Sequence, residues 1–195
     1  MHKPIYLASR SPRRAELLQQ IGVDFDVLPS DVDESILPNE SPEAYVMRLA
    51  ASKAAAGSAG MMKANLPQRP ILAADTTVCV DGVILGKPGD DEDARVMLKA
   101  LSGRWHEVHT ALTLVSSEGI EAVLSTTRVE LIALPDEMIA AYIASGEPHG
   151  KAGAYGIQGL AGTFIKRIEG SYSGVMGLPV FETAWLLGKA GIHVL

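Results

Sequence analysis

The sequence predicts an α/β protein with an elongated, mixed sheet flanked by helices. Two observations predict this class: short apolar runs of strand length alternate with segments of helical periodicity, and the Asp81-Gly82 turn joins two runs as an antiparallel hairpin, so the sheet cannot be purely parallel. The chain has 195 residues, of which 47% are hydrophobic and 21% charged, and it is long enough to bury one substantial core. We therefore expect a single domain over residues 1–195.

The first half of the chain carries clear start and stop signals. Ser11 and Ser41 each precede a proline, a pattern typical of a helix N-cap followed by the first helical residue. The predicted elements are strands at 5–8, 25–28, 71–80 and 83–85, and helices from 12 to about 21 and from 42 onward. Asp75 lies inside the third strand, and we expect it to interrupt that strand.

The second half continues the alternation. We expect strands at 108–115, 120–134 and 164–168, and helices over the apolar face 94–101, over 136–145 and over 179–190. Between them, residues 151–162 form a glycine-rich segment.

Composition and spacing exclude several classes of protein. The formal net charge of −6 argues against broad binding of nucleic acid or anionic membrane, and the absence of a leader or membrane-length apolar run makes the cytoplasm the expected location. The sequence contains neither G-x-x-x-x-G-K-[ST] nor a G-x-G-x-x-G after a strand. Cys79 lies in an apolar run with no histidine nearby in sequence, so we expect a buried, unreactive thiol. His106 and His109 alone are weak evidence for zinc.

The segment between the first strand and the first helix is a candidate phosphate site. Ser9 precedes the helix, and Arg13 and Arg14 lie in its first turn, where cations oppose the helix dipole unless an anion is bound. Guanidinium groups can fork onto phosphate oxygens. The alternative is that both arginines are simply solvated on a surface helix.

Acidic residues form a second candidate site. Asp75 in an apolar strand is costly unless it is paired or metal-bound, and Thr76 beside it offers a hydroxyl. Asp31, Asp33 and Glu34 lie in a loop after the second strand, so one carboxylate from each group could hold a divalent cation. The alternatives are a strand-end aspartate bonded to backbone amides and solvated loop acids.

Two lysines and an amide complete the candidate residues. Lys53 lies on an apolar helical stripe and Lys87 follows the hairpin, so both ammonium groups could converge on phosphates or reach into water. Gln158 lies in the glycine-rich segment, and its donor and acceptor suit the edge of uracil or thymine. A purely structural turn is the alternative reading of that segment.

These residues together resemble the Maf family of nucleotide pyrophosphatases. The matching motifs run in collinear order over nearly the whole chain: Ser9-x-Ser11-Pro12-Arg13-Arg14, Asp33-Glu34, Arg48-Leu49-Ala50 with Lys53, Ala74-Asp75-Thr76, Gly86-Lys87-Pro88, Leu101-Ser102-Gly103, residues 151–159 and Gly177-Leu178-Pro179. Thr76 and the Ile157-Gln158 pair make the sequence similar to the branch that acts on dTTP and UTP, rather than the branch that acts on 7-methyl-GTP.

The resemblance implies hydrolysis of a nucleoside triphosphate to the monophosphate and pyrophosphate. It further implies a fold related to the inosine triphosphatases, with two lobes and a central cleft, a homodimer, and a divalent cation such as Mg²⁺ or Mn²⁺ held by Glu34 and Asp75. Asp75 would be the general base, and the substrate would contact Ser9, Arg13, Arg14, Lys53, Thr76, Lys87 and Gln158. The competing interpretation is a nucleotide-binding regulator of cell division or septum formation with little turnover.

Overall fold

The structure is a computed structural model that describes residues 4–194. Its strands are β1 (Ile5–Leu7), β2 (Phe25–Val27), β3 (Ile71–Val80), β4 (Val83–Leu85), β5 (Trp105–Ser116), β6 (Gly119–Leu131) and β7 (Ile165–Glu169). Its helices are α1 (Pro12–Gln20), α2 (Pro42–Lys63), α3 (Asp91–Leu101), α4 (Asp136–Ala144), α5 (Tyr172–Met176) and α6 (Val180–Lys189), with 3₁₀ turns at Ala152–Ala154 and Leu160–Phe164. The prediction of an α/β protein with a mixed sheet flanked by helices is confirmed.

The long strand β3 organises the sheet, whose order is β2-β1-β3-β5-β6-β7. Strand β5 pairs antiparallel with one edge of β3 from Ile71 to Cys79. The other edge is shared: β1 pairs parallel with β3 up to Leu72, and β4 pairs antiparallel with it from Val78. The stretch of β3 between these two partners therefore has an edge that no strand covers within residues 4–194.

Asp75 does not interrupt β3, and that prediction is wrong. The strand runs unbroken through Asp75, which pairs with Ala111 of β5. An ion pair with Lys53 offsets the desolvation free energy of the buried Asp75 carboxylate, so the backbone does not need to leave the strand there. Two further differences are the end of β6, at Leu131 instead of residue 134, and the short helix α5, which the sequence patterns did not predict.

Two hydrophobic cores occupy one face of the sheet, one near each end of β3. Leu72 and Ala74 belong to the core that α1 and α6 cover, whereas Val78 and Val80 belong to the core that α3 and α4 cover. Thr76 lies between them on the same face, because side chains alternate along a strand. Helix α2 covers the opposite face, against Ala73 and Ala111. None of the helices within residues 4–194 has the length and hydropathy needed to span a membrane.

Candidate active site

The loop after β1 and the loop after β4 meet at the uncovered edge of β3. The loop after β1 leaves the sheet at Ala8, whose N–H still bonds the carbonyl of Leu72. The loop after β4 leaves it at Gly86, beside Val78 of β3. Both loops therefore open onto Asp75 and the residues next to it, and a change of strand partner is a common position for ligand sites in α/β sheets.

A cleft of about 660 Å³ lies at this position. Its volume is within the usual range for sites that hold a small molecule. All nine residues predicted from the sequence line it: Ser9, Arg13, Arg14, Glu34, Lys53, Asp75, Thr76, Lys87 and Gln158. The structure thus brings together side chains from six separate segments of the chain.

Lys53 joins the two predicted acidic residues. Helix α2 begins at Ser41, whose hydroxyl accepts a hydrogen bond from the N–H of Ala44, and it presents Lys53 towards β3. The Lys53 Nζ lies 2.5 Å from Asp75 Oδ1 and 2.6 Å from Glu34 Oε1. Asp75 and Lys53 are both buried, so the pair compensates two charges that would be costly alone. Within residues 4–194, Asp75 Oδ2 has no hydrogen-bond donor from the protein, and it faces the cleft.

Asp31 and Glu34 both line the cleft, and Glu34 is the loop acid that bonds Lys53 there. Of the other two candidates, Asp33 accepts hydrogen bonds from the backbone and hydroxyl of Ser35, and Asp31 pairs with Arg10 in solvent. Burial opposes ionisation of Glu34, but the hydrogen bond and charge of Lys53, with the charge of Lys87, keep its pKa below the ordinary value. Glu34 is therefore an anion at neutral pH.

Two contacts hold the Glu34 loop in place. The Tyr45 hydroxyl donates to the Glu34 carbonyl at 3.0 Å, and Arg48 forks onto the Glu40 carboxylate at 2.6 and 2.7 Å. Burial, followed by the charge of Asp75, raises the pKa of Tyr45 to about 12, so its hydroxyl remains a donor. The sequence reasoning did not identify Tyr45 as a cleft residue.

Glu34 and Asp75 have the chemistry of a hard-cation site. Because both carboxylates bond the same ammonium nitrogen, their bonded oxygens lie within about 5 Å of each other. Carboxylate oxygens of this kind suit Mg²⁺ or Mn²⁺, which also keep several water ligands. Glu34 and Asp75 could thus supply oxygen ligands to a divalent cation, next to the Lys53 ammonium that bonds one oxygen of each.

Arg14 is tied to the protein by three hydrogen bonds. Its Nε donates to the Gly177 carbonyl at 2.8 Å, Nη1 to Ser9 Oγ at 3.0 Å and Nη2 to Thr76 Oγ1 at 3.2 Å. Burial, as the main cause, lowers the pKa of Arg14, and the charge of Asp75 opposes that effect. The guanidinium keeps two further N–H groups, so Arg14 joins α1 to β3 and α5 and can still face a ligand.

Thr76 has its hydroxyl proton committed. Thr110 Oγ1 donates to the Gly174 carbonyl at 2.8 Å, so the 2.9 Å contact between Thr110 and Thr76 requires Thr76 to be the donor. Thr76 Oγ1 then accepts from Arg14. A chain of hydrogen bonds therefore runs from Arg14 through Thr76 and Thr110 to the Gly174 carbonyl, and it fixes the positions of the two cleft residues, Arg14 and Thr76. Only these two members of the chain were predicted from the sequence.

Arg13 and Lys87 are the cations with the greatest freedom. Among residues 4–194, Arg13 has no hydrogen-bond partner for its guanidinium, and Lys87 is exposed, with its Nζ 3.5 Å from Glu34 Oε2. Ser11 occupies the N-cap of α1, but its side chain makes no capping hydrogen bond. The first-turn N–H groups of α1 are thus available to an anion, as the sequence predicted.

The Gln158 loop is anchored by a residue that sequence reasoning missed. Glu147 accepts hydrogen bonds from the N–H groups of Leu160 and Ala161, at 2.8 and 3.3 Å, and from the Tyr142 hydroxyl. A Cβ at Gly159 would lie 2.4 Å from the Glu147 carboxylate, so glycine permits this close approach. Gln158 itself is exposed at the rim of the cleft.

The two histidines of the H-x-x-H pattern do not form one site. His106 and His109 point to opposite faces of β5, since they are three positions apart along the strand. His106 Nε2 lies 2.7 Å from the Tyr155 hydroxyl in the core, whereas His109 Nε2 lies 3.3 Å from Cys79 Sγ. Cys79 is buried, as predicted, but a histidine does lie beside it, because β3 and β5 pair in register.

Comparison with known proteins gives consistent results. A family model described as Maf-like protein matches residues 4–190. A protein of Methylobacillus flagellatus named dTTP/UTP pyrophosphatase is 62% identical over 190 residues, which are 97% of this chain and 94% of that protein. One of the same name from Cupriavidus pinatubonensis is 54% identical over 199 residues, covering 99% and 100% of the two chains.

Among solved structures, the Staphylococcus aureus Ham1 protein aligns with a TM-score of 0.46 and 17% identity, over 66% of this chain and 72% of that one.

Proposed function

This chain belongs to the Maf family, and we propose that it hydrolyses nucleoside triphosphates, dTTP and UTP in particular, to the monophosphate and pyrophosphate. The observation that carries the proposal is the cleft in which Asp75, with one open carboxylate oxygen, lies beside Glu34 and faces a set of cations. Two relatives more than half identical to this chain over almost their whole length are named dTTP/UTP pyrophosphatase.

The cations supply the binding energy for a triphosphate. Arg13 and the first-turn N–H groups of α1 meet the phosphates from one side, and Lys87 meets them from the loop after β4. Arg14 contributes its two remaining N–H groups from a fixed position. Because these donors are held by separate elements, they can fix the chain of phosphates in line for attack.

Asp75 would act on the attacking water. Lys53 donates to Asp75 Oδ1, which orients the carboxylate and leaves Oδ2 to accept the proton of a water molecule. The water oxygen forms a bond to the α-phosphorus as the bond to the α,β-bridging oxygen breaks, and pyrophosphate leaves with that electron pair. A divalent cation held by Glu34 and Asp75 would neutralise developing negative charge and lower the pKa of water.

Base selection would fall to Gln158. The phosphates are the same in every nucleotide, so discrimination requires a group that faces the base edge. Gln158 lies at the rim of the cleft on a loop that Glu147 anchors, and its amide offers both a donor and an acceptor. This arrangement supports a preference for the uracil and thymine edge.

Further expectations accompany this assignment. We propose one domain over residues 1–195, acting in the cytoplasm as a homodimer without nucleic-acid or membrane partners. The net charge of −6 supports the last point. Sedimentation velocity of the purified protein tests the homodimer, and a monomer at micromolar concentration would contradict it.

The direct test of the proposed function is product identity. UTP and dTTP are incubated with the protein and Mg²⁺ or Mn²⁺, and pyrophosphate and orthophosphate are detected separately. We expect monophosphate and pyrophosphate, and no turnover in EDTA. Orthophosphate with a nucleoside diphosphate would contradict the proposal, and nucleotide binding without turnover would favour the alternative of a regulator of cell division.

A further inference from the structure

A second cluster of metal-ligating side chains lies on the α2 face of the sheet, beyond the cleft. Cys79 of β3 and Glu107 and His109 of β5 each offer one ligand atom, and these atoms lie within 4.8 Å of one another. His109 Nε2 is 3.3 Å from Cys79 Sγ and 3.7 Å from Glu107 Oε2, and the Glu107 oxygen is 4.0 Å from the sulfur. Antiparallel pairing of Cys79 with Glu107 and of Thr77 with His109 creates this juxtaposition.

The imidazole is held in the orientation that a metal ligand needs. His109 Nδ1 lies 3.0 Å from Thr126 Oγ1 of β6, and this contact fixes the orientation of the ring with Nε2 beside Cys79. In the tautomer that carries its proton on Nδ1, that N–H donates to Thr126 and the lone pair of Nε2 is left for a metal ion. The side chain of His109 is almost fully buried and Cys79 is 3% exposed, so neither ligand needs to be ordered when an ion binds. The Glu107 side chain is 47% exposed, which leaves it free to adjust.

The spacing matches a tetrahedral zinc site. Bonds of about 2.3 Å to sulfur and about 2.1 Å to nitrogen and oxygen place the ligand atoms of a tetrahedron roughly 3.4–3.6 Å apart. The three observed separations are 3.3, 3.7 and 4.0 Å, so a small rotation of Glu107 satisfies all of them. Cys79 and Glu107 line a shallow depression of about 250 Å³, from which an ion and a water ligand can reach these two side chains; His109 is not among its lining residues.

We propose that Cys79, Glu107 and His109 bind one Zn²⁺ ion, with water as the fourth ligand, at a site separate from the cleft. Asp75 and Cys79 are four residues apart on the same face of β3, or about 13 Å. The two sites also differ in chemistry, since a sulfur, nitrogen and oxygen set selects Zn²⁺ whereas two carboxylates select Mg²⁺ or Mn²⁺. The ion would tie β3 to β5 and stabilise the folded chain.

A reactive thiol is the alternative use of Cys79, and its environment opposes it. Burial, followed by the charge of Glu107, raises the pKa of the Cys79 thiol to about 11. The thiol is therefore protonated at neutral pH when no ion is bound, and a protonated, buried thiol is a poor nucleophile.

Cobalt titration of the full-length chain, first freed of metal by EDTA and dialysis, tests the proposal. Co²⁺ bound by a thiolate gives a sulfur-to-metal charge-transfer band in the near ultraviolet, and Cys79 is the one cysteine of the chain. We expect one such ion per chain, displaced by Zn²⁺. Cys79→Ser should abolish the band, His109→Ala should abolish or severely weaken it, and Thr126→Val should lower the affinity about 10- to 100-fold, as loss of an outer-shell partner does.

Matched variants separate this site from the cleft and from surface histidines. Glu34→Gln and His149→Ala alter a cleft carboxylate and an exposed histidine, and both should keep the band with unchanged affinity. Zn²⁺ should also raise the melting temperature of the wild type but not of His109→Ala. Absence of the band in the wild type, or an unchanged band in a folded His109→Ala variant, would overturn the proposal whether or not the Cys79 variant folds.

Discussion

The neighbouring arginines Arg13 and Arg14 should give opposite phenotypes when each is replaced by alanine. Arg14 is buried and donates three hydrogen bonds to the protein, whereas Arg13 makes none within residues 4–194. Arg14→Ala therefore removes three hydrogen bonds within the protein, whereas Arg13→Ala removes a group that would contact only the substrate. The comparison separates a residue that holds the protein structure as well as the substrate from a neighbour that meets the substrate alone.

The magnitudes follow from these contacts. A hydrogen bond that involves a charged group contributes about 1.5–3 kcal/mol, but recovery of guanidinium hydration offsets part of the loss, so Arg14→Ala should lower the free energy of unfolding by about 2–4 kcal/mol. For a chain of this length that corresponds to a melting temperature lower by roughly 10 °C. Arg13→Ala should change stability by less than about 0.5 kcal/mol, as surface substitutions do. It should lower kcat/KM about 10- to 100-fold through the lost phosphate contacts.

Urea unfolding and steady-state kinetics with UTP measure both quantities on the same preparations. Arg95→Ala, which alters a partly exposed arginine of α3 that pairs with Glu92 outside the cleft, is the control and should leave both nearly unchanged. Equal loss of stability in the Arg13 and Arg14 variants would refute the distinction. So would a stable Arg14→Ala protein beside an Arg13→Ala protein with wild-type kinetics.

Three further predictions concern residues around the cleft and core. Burial lowers the pKa of His106 from 6.5 to about 4, so between these pH values the unfolded chain binds a proton at this residue and the native chain does not. The free energy of unfolding should therefore fall by about 3 kcal/mol as the pH drops from 6.5 to 4. Urea unfolding of His106→Gln should lack this pH-dependent loss of stability. Glu147→Ala frees the Gln158 loop and should raise KM about tenfold with a smaller change in kcat, whereas Glu137→Ala on exposed α4 should not; equal KM values would contradict the anchoring role. Gln158→Glu loses the donor half of the amide and should reduce the preference of kcat/KM for UTP over GTP about tenfold; an equal loss for all nucleotides would show that Gln158 does not read the base.

Local signals in the sequence predicted most of the fold. Short sequence motifs mark the Ser-Pro starts of α1 and α2 and the Asp81-Gly82 turn. The local structure that such motifs form depends little on distant residues. The candidate cleft residues were also predictable as a set, because each is an unusual charged or polar group in an apolar or glycine-rich setting. Their convergence in one cleft came from the family resemblance, since spacing alone left solvated alternatives open.

The features that the sequence did not predict depend on contacts between distant segments. The continuity of β3 through Asp75 depends on Lys53, 22 residues earlier in the chain. The anchoring of the Gln158 loop depends on Glu147, and the proximity of Cys79 and His109 depends on the register of β3 and β5. Helix α5 is only five residues long, and such a short helix has too little periodicity to detect.

Asp75→Asn gives the most direct test of the central claim that a carboxylate acts on water at this cleft. The substitution keeps the shape of Asp75 and removes its charge, so turnover of UTP should fall about 100-fold or more while calorimetry still detects nucleotide binding. Asp81→Asn, at an exposed turn after the same strand, should retain full activity. A folded Asp75→Asn protein with near-normal release of pyrophosphate would contradict the account and make Asp75 a structural partner of Lys53.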